Sequence, residues 1–170
     1  MRREELDVLV DYLFWVRDRV LSAAESLPDG EFESRETVAT RDLRATLVHQ
    51  LENEWAWRIR LSQGAFPADG LSPDDYPTVD RLATSWQREE QELRAWLAGI
   101  SGRRLAARPP GDDNVLPLWQ YLIYVVTHGI QQFSEAGILL TRRGHSPGEI
   151  GFLAFCMDRA ASPAGRPRDP

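Results

Sequence analysis

The chain is short of the residues that staple small or exported folds. It has one cysteine, Cys156, in 170 residues. No intrachain disulfide and no thiolate zinc site can therefore form. It has no lysine, and all 20 basic residues are arginine, which excludes a lysine Schiff base and reads as genome composition rather than function. The arginines are scattered. Only Arg103-Arg104-Arg108 and Arg142-Arg143 approach a patch, and both fall near expected helix ends, where cations favour the helix dipole. With 26 acidic residues and a net charge of −6, no nucleic-acid partner is expected. The longest apolar stretch, Val115 to Val126, is broken by Pro117 and Gln120. It falls short of the roughly 20 residues a membrane span needs, so no membrane partner is expected either. No glycine-rich phosphate loop, serine elbow or dinucleotide fingerprint occurs. Met1 to Glu5 leads straight into an amphipathic pattern, unlike an export signal. The expectation is a soluble, cytoplasmic protein.

What is present is a helical pattern. The chain is 42% apolar and 27% charged, a globular balance, and its length suits one domain that buries about 70% of its unfolded surface. Leu6, Leu9, Val10, Leu13, Val16, Val20, Leu21 and Ala24 recur with helical spacing over Arg3 to Ser26, before Leu27-Pro28-Asp29-Gly30 breaks the period. Glu31 to Ala39 is a polar connection. A second helix is expected from a cap at Thr40 to Gln63-Gly64, with a stripe of Leu43, Leu47, Val48, Leu51, Trp55 and Ile59. Ala65 to Pro77 reads as a loop. Thr78 caps a third helix to Ala98, whose Arg88 to Glu92 run is a solvated face. Gly99 to Asn114 is an irregular crossover or short hairpin. A fourth helix runs from Pro117, a favoured first-turn proline, to Arg143, stopped by Gly144. A short final helix covers Glu149 to Arg159. The expected fold is all-α: a four-helix bundle with a crossover connection and a short C-terminal helix, in one domain over residues 1–160, followed by a disordered tail over 161–170.

The chain has three histidines, His49, His128 and His145. His49 shares a helix face with Ala45, Glu52, Asn53 and Ala56, roughly opposite the apolar stripe. Periodicity alone therefore favours a solvent-exposed side chain. Tyr124, His128, Gln132 and Glu135 form a polar stripe on an otherwise apolar helix, which faces either water or a wet cleft. The sharper reading is a metal site between the two helices, because imidazole suits Zn, Ni, Cu or Fe and bundles build such sites from facing helices. Two histidines fall one short of the usual three protein ligands. Glu52, Asn53, Gln132 or Glu135 would have to supply the third, and a carboxylate is the better donor. His145, in a turn after Gly144, reads as a local hydrogen bond or cap. Cys156, in the apolar Phe152 to Phe155 run, reads as a structural thiol.

The segments Leu9-Val10-Asp11-Tyr12-Leu13-Phe14-Trp15, Leu27-Pro28 and Leu43-Arg44-Ala45-Thr46-Leu47-Val48-His49 come first. Leu116-Pro117-Leu118-Trp119-Gln120, Val125-Val126-Thr127-His128-Gly129-Ile130-Gln131-Gln132 and Gly144-His145-Ser146-Pro147-Gly148 follow in order. Together these resemble the DinB family, also called the YfiT-like metalloenzymes, from about Leu6 to Phe155. The resemblance implies a four-helix bundle with a left-handed crossover that pairs as a homodimer. It also implies a divalent metal, Ni or Zn, held by a histidine on the second helix and an H-x-x-x-H pair on the fourth. Carried over by position, the triad is His49, His128 and Gln132, with glutamine where the pattern has its last histidine. Tyr124 stands where many relatives have a further histidine, and Phe133 where an arginine often follows.

An amide oxygen is a poor ligand for Ni²⁺ or Zn²⁺ beside imidazole. Three outcomes stay open: Gln132 ligates through Oε1 in a weak site, Glu135 or Glu52 takes its place, or the metal is lost and the pocket is kept. The resemblance implies metal-dependent, thiol-using transfer or isomerisation, with a low-molecular-weight thiol such as bacillithiol, mycothiol or glutathione. Tyr124 would orient substrate or carry a proton, and Glu135 and Asn53 would line the pocket beside it. The alternative is a non-catalytic dimer of the same fold that binds a small molecule in a vestigial metal pocket.

Overall fold

The computed structural model describes residues 1–28, 30–33 and 35–162. Six α-helices and no β-strand occur among the described residues: α1 (Arg3–Glu25), α2 (Leu43–Gln63), α3 (Val79–Ala98), α4 (Gly102–Ala106), α5 (Leu118–Arg142) and α6 (Phe152–Ala161). The chain is all-α, as expected, and no helix among the described residues is long and apolar enough to cross a membrane. The expected disordered tail lies outside the described residues from 163 onward.

The four long helices form the bundle. α5 packs against both α1 and α2, and α3 packs against the same two from the other side. Consecutive helices α1 and α2 therefore stand across the bundle from each other, and so do α3 and α5. Residues 26–42 and 99–117 make these two crossings. The first carries a short 3₁₀ turn, Glu31–Glu33, whose Phe32 is buried, and an isolated bridge between Val38 and Arg41. The second holds α4 and then a loop that abuts the end of α2. A Cβ on Gly111, at φ 103°, would come 2.4 Å from the Gly64 carbonyl oxygen, so only glycine fits there. Leu118 N–H donates to the Ala107 carbonyl at 2.8 Å, which ties the start of α5 to the end of α4.

Local chemistry sets the helix ends. Asp42, not Thr40, caps α2, with its carboxylate accepting from Ala45 N–H at 2.8 Å. The Val38–Arg41 bridge has already drawn Thr40 into a turn. Thr78 and Ser101 cap α3 and α4 in the same manner. Pro117 is the cap residue of α5 rather than its first-turn proline. α6 starts at Phe152, later than the expected Glu149, because the Glu149 side chain turns back to accept from Gly151 N–H at 2.9 Å.

The core is layered on Leu13, Val16, Leu47, Trp86, Phe133 and Leu139, with a second cluster at one end on Leu6, Leu61, Leu97 and Leu118. Burial of side chains of this size contributes roughly 1.5–3 kcal/mol each. Two charged pairs enter this interior. Glu89 and Glu90, expected on a solvated face, are drawn inward instead: Arg58 holds Glu89 through two bonds of 2.6 and 2.7 Å, and Arg17 reaches Glu90 at 2.6 Å.

Candidate metal centre

The apolar seam of α2 runs through Leu43, Leu47, Gln50, Glu54 and Leu61, all buried. Two polar residues thus occupy core positions, while Trp55 and Ile59, expected in the stripe, are only half-buried. This seam turns His49 toward the groove between α2 and α5 rather than straight out to solvent. Its side chain is 28% exposed. On α5, Gly129 lets the helices close. A Cβ there would come 2.4 Å from Leu13 Cδ1 and 2.7 Å from Gln50 Nε2, so Leu13, Gln50 and the α5 backbone meet at a residue without a side chain.

Across that contact the His49 and His128 rings face each other, with centroids 5.4 Å apart and planes 68° apart. Burial, followed by the charge of Arg41, holds His49 below the ordinary histidine range. Burial, followed by the charges of His49 and Arg41, does the same for His128. Both rings are therefore neutral near pH 7 and keep a lone pair. His128 Nδ1 lies 3.0 Å from Gln50 Oε1. Gln50 Nε2 donates to Glu54 Oε1 at 2.8 Å, and Trp86 Nε1 donates to Glu54 Oε2 at 2.9 Å. Glu54 is wholly buried, and burial pushes its carboxyl up to about 7.

The other expected site residues divide. Gln132, one turn beyond His128, is 4% exposed, and its Oε1 has no hydrogen-bond partner among the described residues. The same is true of Asn53 Oδ1, one turn beyond His49. Tyr124 is 41% exposed, and its ring lies 5.6 Å from that of His128. Glu52 Oε2 is 3.9 Å from His49 Nδ1, while its Oε1 accepts from Leu71 N–H at 3.2 Å. Glu135 Oε1 accepts from Gln131 Nε2 at 3.3 Å. His145 is bonded elsewhere, with Nδ1 2.7 Å from Ser26 Oγ at the end of α1.

An open cleft of about 330 Å³ lies beside His49, lined by Glu52, Asn53, Trp57, Phe66 and Asp69 among others. Trp57 forms its wall, with ring centroids 5.1 Å from Phe66, 5.6 Å from Tyr121 and 5.1 Å from Tyr124. Arg60 covers the Phe66 ring at 4.6 Å.

The donor set allows a test of fit to a divalent ion. Two imidazoles on one tetrahedral ion at about 2.1 Å have ring centres about 5.3 Å apart, close to the 5.4 Å found. A buried, unpartnered amide oxygen on each helix is a polar atom left in want of a positive partner. Against this, no group of three or more His, Cys, Asp or Glu among the described residues could hold a metal. The two imidazoles fit a pair of nitrogen ligands, and no third strong donor joins them among the described residues.

Sequence reasoning missed the Gln50–Glu54–Trp86 chain. The signal was available: glutamine and glutamate at helical spacing on the Leu43/Leu47 face are polar residues where the period demands apolar ones.

A comparison with curated proteins finds no match. The family model of the DinB family matches residues 1–159. The histidine pair is thus set in a fold of known kind, and the chain belongs to the DinB family.

Proposed function

We propose that this chain holds one divalent transition metal, Ni or Zn, between α2 and α5 on His49, His128 and the Gln132 amide oxygen, and serves a metal-dependent reaction of a small nucleophile such as a low-molecular-weight thiol. The observation that carries the reading is the pair of neutral imidazoles at 5.4 Å. When bound, such a metal lowers the pKa of a thiol or water so that the nucleophile forms near neutral pH. The chain's own residues do the rest. Trp57 and Phe66 give the cleft an apolar wall against which a substrate can lie, and Tyr124, packed on Trp57 and beside His128, would orient it. Glu52, tied to the loop through Leu71 N–H, fixes the cleft's far side. The homodimer belongs to the same proposal. Leu153 and Met157 on α6, 75% and 66% exposed, are the kind of apolar surface that pairing covers.

The lack of a third strong ligand among the described residues favours a second reading, in which the same cleft binds an organic molecule without metal and without catalysis. Metal content separates the two. Protein purified without a polyhistidine tag is assayed for Ni, Zn, Fe, Cu and Mn per chain, beside His49→Ala. About one metal per chain, lost in the variant, supports the first reading. No uptake at micromolar metal rejects it in favour of the second.

A further inference from the structure

Three buried side chains behind the histidine pair form a chain whose direction is fixed by which atoms can donate. Trp86 Nε1 is a donor only, and it occupies one oxygen of Glu54 at 2.9 Å. Above about pH 7, where Glu54 is ionised, the carboxylate accepts at both oxygens, so the group that meets its second oxygen at 2.8 Å must be the Gln50 amide N–H. Gln50, having turned its nitrogen to Glu54, can offer only its oxygen to His128 Nδ1 at 3.0 Å. An amide oxygen accepts, so Nδ1 must carry the proton and Nε2 is left with the free lone pair. Gln50 and Trp86 are fully buried and Glu54 is 1% exposed, so water does not compete for these bonds. Gly129 removes the side chain that would otherwise press on Gln50 Nε2.

We infer that Glu54, pinned by Trp86 and acting through Gln50, is a positioning residue that sets the tautomer of His128 and leaves Nε2 as its free nitrogen. The inference concerns the same site as the proposed metal and rests on that reading for its use. The tautomer itself exists without any metal. If a ligand binds there, metal or organic, it meets an acceptor nitrogen on α5 and not an N–H.

The chain's logic makes a specific prediction. Glu54→Gln replaces two acceptors by one acceptor and one donor. Trp86 cannot reverse, so the new amide must keep its oxygen for Trp86 and turn its NH₂ toward Gln50. Gln50 must then reverse and present Nε2 to His128, and the imidazole proton must move to Nε2. Adding Trp86→Phe removes the pin, so the new amide can face Gln50 with either end and the Nε2–H tautomer is no longer forced.

The test is nitrogen NMR of ¹⁵N-histidine-labelled, metal-free protein at about pH 8.5, where Glu54 is ionised. The expected result is Nδ1–H at His128 in the parent, a shift of the tautomer ratio on the order of tenfold toward Nε2–H in Glu54→Gln, and a ratio between the two in Glu54→Gln/Trp86→Phe. A merely structural role for Glu54 predicts no recovery on loss of a second buried group. Gln50→Leu, which deletes the acceptor outright, supplies the same Nε2–H shift if Glu54→Gln loses its helical circular dichroism. An Nε2–H tautomer in the parent overturns the inference, and so does an unchanged Nδ1–H in folded Glu54→Gln or Gln50→Leu. Metal uptake is read separately. Failure to bind metal with the expected tautomers defeats the metal proposal and leaves the relay standing, and the converse result defeats the relay alone.

Discussion

Removing the charge of Glu54 should change the pH dependence of stability, not merely its level. The carboxyl is wholly buried, and desolvation raises it from 4.5 to about 7 against the pull of its bonds to Gln50 and Trp86 and the charge of Arg17. The folded state therefore holds this proton more tightly than the unfolded chain. The associated stability is fully present below about pH 4.5 and is lost as pH rises to about 7, beyond which the loss is constant. At 1.36 kcal/mol per pH unit, that window corresponds to about 3 kcal/mol. Glu54→Gln cannot ionise and escapes the loss, at the cost of reversing a buried hydrogen bond, about 1–2 kcal/mol at any pH. The variant should be the less stable protein near pH 4.5 and the equal or more stable one above pH 8, with the two stability curves crossing between. Urea unfolding followed by circular dichroism across that range measures this, and in thermal unfolding the relative shift in Tm should approach roughly 10 °C for a chain of this size. Parallel curves, offset by the same amount at every pH, would refute the argument that Glu54 is a desolvated carboxyl of raised pKa.

Three further outcomes follow from the same site. Gln132→His restores a nitrogen donor one turn from His128, and calorimetric titration should show affinity for Ni²⁺ or Zn²⁺ raised by at least 10- to 100-fold. Unchanged affinity would remove Gln132 from the site. Because burial holds both His49 and His128 below the ordinary histidine range, protons should compete with the metal only below pH 6.5, so metal retention measured against pH should stay flat through neutrality and fall on the acid side. Gly129→Ala drives a methyl into Leu13 and Gln50. It should cost about 1–3 kcal/mol in urea unfolding, whereas a neutral result would mean that the α1–α2–α5 contact yields easily.

Helix identity was legible because the apolar period is strong and the stops are chemical. Thr78, Ala98 and Gly64 bound α3 and the end of α2 where the sequence places them. The errors fall where side chains compete with the backbone. Asp42 outbids Thr40 as the α2 cap once the Val38–Arg41 bridge forms, and Glu149 bonds to its own turn instead of opening α6. Helix α4 was hidden in an Arg-rich stretch without period, and its Ser101 cap, accepting from Arg104 N–H, was the missed sign. The candidate site was harder to read. His49 looked exposed because the stripe was centred on apolar residues alone. The seam passes through Gln50 and Glu54 instead, which rotates the helix and brings His49 into the groove. A polar residue can occupy a core position when others satisfy it, and those partners, Trp86 on α3 and His128 on α5, lie too far along the chain for any local pattern to reveal.

The most direct test of the central claim is stoichiometric. Tag-free parent protein and His49→Ala are exposed to equal micromolar Ni²⁺ and Zn²⁺, dialysed, and assayed for metal by mass spectrometry. The account predicts about one ion per parent chain and essentially none in the variant, with circular dichroism unchanged. A parent that retains no metal, or a variant that retains as much as the parent, contradicts it.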